Sequence, residues 1–175
     1  MMEKIFLIGY MGSGKTSVGA KLAEILNCKF LDLDAFIEER EEMSVKMLFK
    51  LKGEIYFRKA ETKYLQEIID QNESMIVSLG GGTPCYANNM ERILSATNVK
   101  SVYLKATIPT LTDRLFTEKE QRPMIAHLNS NQLLIEFIGK HLFERSPFYS
   151  QSEVTIITDG KSIDEIVEEV LKAED

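Results

Sequence analysis

The chain has 175 residues, of which 44% are hydrophobic and 27% charged, the proportions of an ordinary globular domain. Its formal net charge of −6 argues against a broad basic face for nucleic acid, so an anionic ligand would be held by a few placed cations. No apolar run approaches the ~20 residues that span a bilayer, and the first run is too short for a signal peptide. We therefore expect a cytoplasmic protein with no membrane partner. Cys28 and Cys85 form no C-x-x-C pair, which argues against a disulfide framework or a zinc site.

Five short apolar runs along the chain predict strands. They cover residues 4–9, 29–33, 75–80, 99–106 and 153–158. Their continuous apolar character is typical of strands that are covered on both faces. Helical patterns alternate with these runs, so we expect an α/β fold with a parallel, doubly wound sheet.

The first and last helical patterns carry recognisable apolar stripes. After the first strand, Asn27 is expected to end a helix whose buried face consists of Val18, Leu22, Ile25 and Leu26. After the fifth strand, Ser162 and Glu165 have the spacing of a capping box. The stripe predicted behind it is Ile163, Ile166, Val167 and Val170.

Two stretches differ from plain crossover connections. Residues 34–61 predict a long helical insertion, and residues 115–131 are largely polar, contain a proline and lack clear periodicity. In doubly wound sheets ligands bind beyond the carboxyl ends of the strands. We expect the insertion to form a substrate platform there and residues 115–131 a mobile lid. Within the insertion, the acidic run 38–42 is interpreted as a solvated face, and Met43, Met47 and Leu51 as a packed one.

Residues 9–16 read GYMGSGKT and follow the first predicted strand directly. The pattern G-x-x-x-x-G-K-[ST] is typical of a phosphate-binding loop between a strand and a helix. Backbone N–H groups of residues 12–16 would surround the β-phosphate, at the positive end of the helix dipole. Lys15 would reach the β- and γ-phosphates, and the Thr16 hydroxyl would ligate Mg²⁺. A simple glycine turn with an incidental lysine is the less favoured interpretation.

Acidic and hydroxyl side chains near two further strand ends suggest a metal and an acceptor. Asp32 and Asp34 are two positions apart near the end of the second strand, so a strand would present both on one face. One carboxylate would lie near the waters of Mg²⁺ and the other at an acceptor hydroxyl. The third strand ends at Ser78, where phosphate-loop proteins usually carry an acid. Ser78 would orient only a metal-bound water, which leaves more of that role to Asp32.

Three arginines are candidates for anion binding. Arg58 lies within helical reach of Glu54 and Glu61, and taken alone it is equally a surface arginine bridging those acids. Arg122 lies in the predicted lid, and Arg145 follows a helical segment and precedes a proline break. A guanidinium group binds both oxygens of a carboxylate, so we expect an acceptor with a carboxylate group.

Together these motifs resemble the shikimate kinase family over nearly the whole chain. The resemblance rests on GYMGSGKTSVG, FLDLD, GEIYFRKAE, SLGGG, RPMI and ERSPFY, in that order. It implies a P-loop NTPase fold, a three-layer αβα sandwich around a five-stranded parallel sheet of order 2-3-1-4-5. Residues 1–175 would form a single kinase domain, with residues 34–61 as substrate-binding insertion and 115–131 as lid. The implied activity is transfer of the γ-phosphoryl group of ATP, with Mg²⁺, to the 3-hydroxyl of shikimate, in aromatic amino-acid biosynthesis, by a monomer.

The resemblance also implies roles for individual residues. Asp34 would hold the ring hydroxyls and take the proton. Arg58 and Arg145 would clamp the shikimate carboxylate, assisted by the backbone of Gly80, Gly81 and Gly82. Phe49 and Phe57 would line the ring pocket, and Glu61 would hold Arg58. ATP would contact Arg114 near the adenine, Arg122 at the phosphates, and the loop residues Gly12, Ser13, Gly14, Lys15, Thr16 and Ser17.

One set of contacts and two other functions stay open at this point. The segment TDGKS (158–162) lacks the arginine that many family members carry near the base, which leaves the adenine contacts there in doubt. A gluconate-type or nucleoside monophosphate-type kinase would share the same donor site. A catalytically silent nucleotide-binding regulator would need damage at Lys15, Asp34 or Arg58, and all three are intact. His127 and His141 receive no role.

Overall fold

The computed structural model describes residues 4–118, 122 and 124–173. The strands are β1 (Lys4–Ile8), β2 (Lys29–Asp32), β3 (Met75–Ser78), β4 (Val99–Lys105) and β5 (Val154–Ile157). The helices are α1 (Lys15–Ile25), α2 (Leu33–Glu41), α3 (Val45–Asp70), α4 (Asn89–Ser95), α5 (Ile108–Glu118), α6 (Asn131–Tyr149) and α7 (Ile163–Lys172). A short 3₁₀ turn covers Thr83–Cys85. All five predicted strands are present, each within a residue or two of its predicted bounds.

The strands form one parallel sheet in the order β2-β3-β1-β4-β5. This confirms the predicted order. β1 and β3 lie inside the sheet and are buried at every position, which explains their continuous apolar sequences.

Two apolar cores cover the sheet, one on each face. Side chains of α1 and α7 pack on one face, around Leu22 and Val167. Side chains of α2 to α6 pack on the other, around Phe6 and Leu65. The protein is therefore a three-layer αβα sandwich. None of the helices within the described residues is long and apolar enough to cross a membrane.

The ends of the first and last helices follow the predictions in part. Asn27 has φ 49° and ends α1, and Ser162 and Glu165 form the predicted capping box of α7. The outermost members of each stripe are exposed, however: Ile25, Leu26 and Ile163. They lie at the ends of their helices.

The insertion 34–61 differs from the prediction in three ways. It consists of two helices, and the second, α3, is kinked at Gly53, which has φ 84° and ψ 169°. Met47 and Leu51 are exposed, so the predicted packed face is wrong for both. Glu41, predicted to be solvated, instead accepts hydrogen bonds from tyrosines of α3.

Asp34 and Arg145 lie on elements other than those predicted. The chain leaves β2 at Asp32, whose carboxylate caps α2 by accepting from Ala35 N–H, so Asp34 belongs to a helix and not to a strand face. Arg145 lies inside α6, which continues past Pro147 to Tyr149.

The predicted lid, residues 115–131, includes residues 119–121 and 123, which lie outside the described residues. Its first residues form the end of α5, and residues 124–127 form a turn. Its role as a lid stays a prediction.

Candidate active site

A cleft of about 480 Å³ opens at the carboxyl ends of β1, β2 and β3. Carboxyl ends of neighbouring parallel strands meet at one edge of a sheet, so short sequence motifs far apart in the chain converge there. The cleft is lined by residues 11–18, Asp32, Asp34, Ser78 and the start of the glycine run, with Arg114, Arg122 and Lys161 also in its wall.

The phosphate loop connects β1 to α1 and closes one side of the cleft. Gly14 is the N-cap of α1 with φ 98°, a left-handed conformation that glycine adopts without a steric penalty. The Lys15 ammonium donates to the backbone carbonyls of Gly9 at 2.7 Å and Tyr10 at 3.0 Å. Desolvation lowers the pKa of Lys15 to about 8, although the carboxylates of Asp32 and Asp34 oppose this shift. A phosphate group would stabilise the charged lysine further.

Asp34 faces the same cleft from the first turn of α2. Burial raises the pKa of its carboxyl group to about 6, with further contributions from the negative charges of Asp32 and Glu61. A carboxyl group with this pKa is still largely ionised near pH 7 and accepts a proton more readily than an ordinary aspartate. Its position and basicity suit a general base.

The donor atoms in the cleft fit a magnesium ion. Thr16, Asp32, Asp34 and Ser78 supply hydroxyl and carboxylate oxygens, the hard ligands that Mg²⁺ prefers. Within residues 4–118, 122 and 124–173, no three His, Cys, Asp or Glu side chains converge to form an all-protein cage. Mg²⁺ usually keeps several waters and shares the rest of its shell with phosphates, so a few such oxygens are sufficient ligands.

Three basic side chains line the outer part of the cleft. Arg114 donates to the carbonyl of Gly12 at 3.0 Å, so it braces the phosphate loop from α5. Arg122 pairs with Glu118 through Nε at 3.1 Å and Nη2 at 2.6 Å. Lys161, which the sequence analysis did not assign, lines the same wall in the segment that lacks the family arginine.

Arg58 is held from below by a buried carboxylate. Its Nη1 donates to Glu61 Oε2 at 2.9 Å, and Glu61 is only 1% exposed. The other oxygen of Glu61 accepts from the Thr83 hydroxyl at 2.6 Å. The guanidinium also lies 3.9 Å from the centroid of the Tyr86 ring. Arg58 is therefore fixed by a buried carboxylate of its own helix and by a ring from a distant loop, whereas Glu54, at 3.6 Å, is an exposed and weaker partner.

The glycine run Gly80–Gly82 joins Asp34 to the arginines. A Cβ built on Gly80 would lie 3.1 Å from Asp34 Oδ1, and one on Gly82 only 2.9 Å from both terminal nitrogens of Arg58. A Cβ on Gly81 would lie 3.2 Å from Arg145 Nη1. The three side chains thus approach a strip of backbone that has no side chains of its own.

Arg145 enters from α6 on the far side of this strip. Its guanidinium lies 5.8 Å from the centroid of the Tyr10 ring. It forms no ion pair with an acidic side chain of the described residues. Next to it, the Tyr149 hydroxyl donates to the carbonyl of Gly81. A cation in this position suits an anionic group of a small ligand.

Two phenylalanines of α3 lie on either side of the Gly53 kink. The Phe49 and Phe57 rings are in contact, with centroids 4.6 Å apart. Phe57 is buried and Phe49 is 37% exposed. They offer an apolar surface beside Arg58, whose guanidinium is 5.3 Å from the Phe57 ring.

Comparison with known proteins places these features in one family. The sequence model described as "Shikimate kinase" matches residues 11–174. A shikimate kinase of Flavobacterium psychrophilum is 47% identical over 98% of this chain and 98% of its own length. The chain belongs to the shikimate kinase family. Its activity is the ATP-dependent phosphorylation of shikimate, and the predicted kinase activity is confirmed.

Solved shikimate kinases share the fold along the whole chain. A crystal structure of the Bacteroides thetaiotaomicron shikimate kinase has a TM-score of 0.90 and 36% identity, and the match covers 99% of both chains. A shikimate kinase from Acinetobacter baumannii in complex with shikimate has a TM-score of 0.85 and 30% identity, over 99% of this chain and 93% of that one. The P-loop kinase fold implied by the motifs is therefore confirmed.

Several contacts of the shikimate kinase site were not expected from sequence. Thr83, Tyr86 and Tyr149 support Glu61, Arg58 and Gly81, and they come from the 3₁₀ turn, the loop after it and the end of α6. Thr83 directly follows the motif SLGGG, and Tyr149 is the last residue of ERSPFY, which was the only available signal. Nothing in the composition around Tyr86 marks it as the partner of an arginine 28 positions earlier.

Proposed function

We propose that Asp34, Arg58, Arg145 and the phosphate loop divide the phosphorylation of shikimate into a donor side and an acceptor side. The observation that carries this proposal is that one strip of glycine backbone adjoins all three acceptor side chains. Gly80 and Gly81 of this strip also line the cleft that contains Lys15. The product would be shikimate 3-phosphate, with ADP as leaving group.

On the donor side, the backbone of residues 12–16 and the N-terminus of α1 would hold the β-phosphate of ATP. Lys15 would leave its two carbonyl partners and turn to the β- and γ-phosphates. Ser17 and Arg114 would contact the nucleotide, with Arg114 near the adenine. Arg122 would exchange Glu118 for an oxygen of the transferring group, because a phosphoryl group with several negative oxygens competes well with one exposed carboxylate.

The metal would be held by Thr16 directly, and by Asp32 and Ser78 through water. When bound, Mg²⁺ neutralises negative charge on the β- and γ-phosphate oxygens. One oxygen of Asp32 accepts the helix-cap hydrogen bond from Ala35 N–H, so the other is free to bind a water of the metal.

On the acceptor side, Arg58 and Arg145 would bind the shikimate carboxylate from opposite sides of Gly81. Their supports, Glu61 beneath Arg58 and the backbone of Gly80–Gly82, would fix its position. Phe49 and Phe57 would contact the ring, and Asp34 would accept hydrogen bonds from its hydroxyls. The carboxylate is then anchored away from Asp34, which orients one hydroxyl toward the γ-phosphate.

In the transfer step, the shikimate hydroxyl oxygen would attack the γ-phosphorus, and its proton would pass to Asp34. The bond between the γ-phosphorus and the β–γ bridging oxygen breaks, and ADP leaves with that oxygen. Such transfers depend mainly on positioning and charge stabilisation, and Lys15 and Arg122 would supply the charge.

The proposal also includes a monomeric state, a cytoplasmic location and no nucleic-acid partner. A monomer suffices, since every assigned residue comes from one chain. A cytoplasmic location suits a donor such as ATP. The net charge of −6 gives no support to a nucleic-acid partner.

The decisive experiment is a coupled ADP-release assay with MgATP that compares shikimate, quinate, gluconate and AMP as acceptors. We expect rapid turnover with shikimate alone. Turnover with gluconate or AMP would keep the donor site and overturn the acceptor assignment. ATP binding without turnover of any acceptor would favour a silent regulator instead.

A further inference from the structure

Part of the acceptor side of the cleft is formed by two pieces of α3 that meet at a kink. Gly53 has non-helical φ and ψ angles, so residues 45–52 and 54–70 are separate helical pieces. Phe49 lies on the first piece, and Phe57 and Arg58 on the second. Because the helical hydrogen-bond pattern is interrupted at Gly53, it does not by itself fix the angle between the two pieces. That angle sets where Phe49 lies relative to Phe57 and Arg58.

One carboxylate outside the cleft bonds to both pieces. Glu41, the last residue of α2, accepts from Lys52 Nζ at 3.1 Å, immediately before the kink. The same oxygen accepts from the Tyr56 hydroxyl at 2.7 Å, three residues after the kink. Its other oxygen accepts from the Tyr64 hydroxyl at 2.8 Å, two further turns along.

This cluster of Glu41, Lys52, Tyr56 and Tyr64 has a shielded inner half, Glu41 and Tyr64, and an exposed outer half, Lys52 and Tyr56. The Glu41 side chain is 10% exposed, and Tyr64 is 5% exposed. Lys52 also donates to the Tyr56 hydroxyl at 3.1 Å and lies 4.3 Å from the Tyr56 ring centroid. Charge-assisted bonds of this kind are among the stronger polar contacts in proteins. The cluster is thus suited to hold a backbone angle.

Glu41 acts from the side of α3 opposite the acceptor site. Tyr56 and Arg58 are two positions apart on one helix, so their side chains leave it about 200° apart. Tyr56 turns toward Glu41, whereas Arg58 turns toward Glu61 and Gly82. The hydrogen bonds and the ion pair of Glu41 within the described residues go to Lys52, Tyr56 and Tyr64 and to none of the residues assigned to the acceptor, so an effect on those passes through the helix.

We propose that Glu41 is a positioning residue for shikimate binding. By bonding to Lys52 and Tyr56 on the two sides of Gly53, it fixes the kink and so holds Phe49 against Phe57 beside Arg58. The inference rests on the acceptor site proposed above and adds a residue to it. The donor loop lies on other elements, so ATP binding should not depend on Glu41.

The test is steady-state kinetics of the full chain with Glu41→Gln, varying shikimate and ATP separately. We expect KM for shikimate to rise about 5- to 30-fold, since the neutral amide loses the charge-assisted bonds. The kcat and the KM for ATP should stay within twofold. A purely structural role would instead lower the active fraction, and with it the apparent kcat, while leaving both KM values unchanged. That result would overturn the proposal.

Two further variants, Lys52→Met and its combination with Glu41→Gln, test whether the bond between Glu41 and Lys52 carries the effect. Lys52→Met removes the bond before the kink from an exposed position, where folding is not at risk, and should raise KM for shikimate in the same direction. Combined with Glu41→Gln its effect should be less than additive, because both changes break the bond between Lys52 and Glu41, and Lys52→Met removes in addition only the exposed bond from Lys52 to Tyr56. An additive effect would contradict the proposal.

A second ion pair between α2 and α3 provides the matched control. Arg40 pairs with Glu67, which lies only on the piece after the kink. Glu67→Gln should leave KM for shikimate unchanged, and an increase equal to that of Glu41→Gln would show that any contact between α2 and α3 suffices. Arg58→Ala distinguishes a failure of the positioning role of Glu41 from a failure of the acceptor site itself. If it raises KM for shikimate and Glu41→Gln does not, the positioning role fails alone. If Arg58→Ala has no effect, the acceptor site fails and this inference with it.

Discussion

The donor and acceptor sides of the cleft are built in different ways. The main part of the donor side is one contiguous stretch, the loop from β1 into α1, to which Arg114 and Arg122 are added from α5 and beyond; the groups proposed to hold phosphate there are mostly backbone N–H groups. The acceptor side brings together α2, both pieces of α3, the glycine run after β3 and the far end of α6. Its charged groups are fixed by other side chains, such as Glu61 beneath Arg58.

This difference has a mechanical consequence. A contiguous loop depends on its own glycines and on the strand that it follows, so distant changes affect it little. The acceptor side, which is assembled from several elements, depends on each side chain that holds those elements in place. We therefore expect variants outside the cleft to change shikimate binding and to leave ATP binding intact. Variants at Asp34, Arg58, Gly82 and Glu41 test whether shikimate binding and ATP binding can be changed separately.

The largest effect is expected at Asp34, which lies where the two sides meet. Asp34→Asn removes the proton acceptor but keeps the size of the side chain. If Asp34 is the general base, kcat should fall about 10²- to 10⁴-fold. The coupled ADP-release assay measures it, and calorimetric titration with shikimate serves as the binding control. A near-wild-type rate would reduce Asp34 to a binding contact.

Arg58 should affect only the acceptor side. Arg58→Ala removes a charged hydrogen-bonding group worth about 1.5–3 kcal/mol, so KM for shikimate should rise roughly 10- to 100-fold. The KM for ATP should stay within twofold. Arg92→Ala, which changes a surface arginine bonded to Gln66, is the matched control. An effect confined to ATP would refute the carboxylate clamp.

A substitution at Gly82 tests whether the glycine run leaves the space that the Arg58 guanidinium occupies. In Gly82→Ala the new Cβ would lie 2.9 Å from both terminal nitrogens of Arg58, which Glu61 and Tyr86 hold in place. Displacement of the guanidinium should raise KM for shikimate about tenfold, the loss of roughly one hydrogen bond.

The control for Gly82→Ala is Gly139→Ala inside α6, where the nearest atom is Ile108 Cδ1 at 3.7 Å. It should stabilise the helix by about 0.5–1 kcal/mol and leave KM for shikimate unchanged. Equal effects of the two alanines on KM would mean that the glycine run serves the backbone alone and not Arg58.

The two sides also differ in what the sequence predicts about them. The loop 9–16 carries its full geometry in its sequence, because the spacing of Gly14, Lys15 and Thr16 determines where each points once a helix follows. The strand order and the residues of the acceptor side came from motifs shared across a family. Apart from Glu61, their supports, such as Thr83 and Tyr86, could not be obtained in this way, because they depend on which distant element packs where.

Glu41 shows this limit most clearly. In the sequence it is one of four glutamates in a run of five residues, a pattern typical of a solvated helical face. Its burial follows from the kink at Gly53, which turns Lys52, Tyr56 and Tyr64 toward one point. A glycine within a helical pattern indicates a possible break, but not its direction. The direction comes from the packing of α3 on α2 and the sheet.

The smallest predicted effect concerns pH and the same cluster. Hydrogen bonds from Tyr56 and Tyr64, with Lys52 nearby, lower the pKa of Glu41 to about 2 from an ordinary 4.5. Because the folded pKa lies below the unfolded one, the ionised Glu41 stabilises the fold fully above about pH 4.5. That stability is lost as the pH falls toward 2. Urea unfolding at pH 6, 4 and 3 should show wild type more stable than Glu41→Gln by about 1–2 kcal/mol at pH 6, with the gap narrowing at pH 3. A gap of constant size would mean that the charge of Glu41 contributes nothing, and that only the shape of the side chain holds the kink.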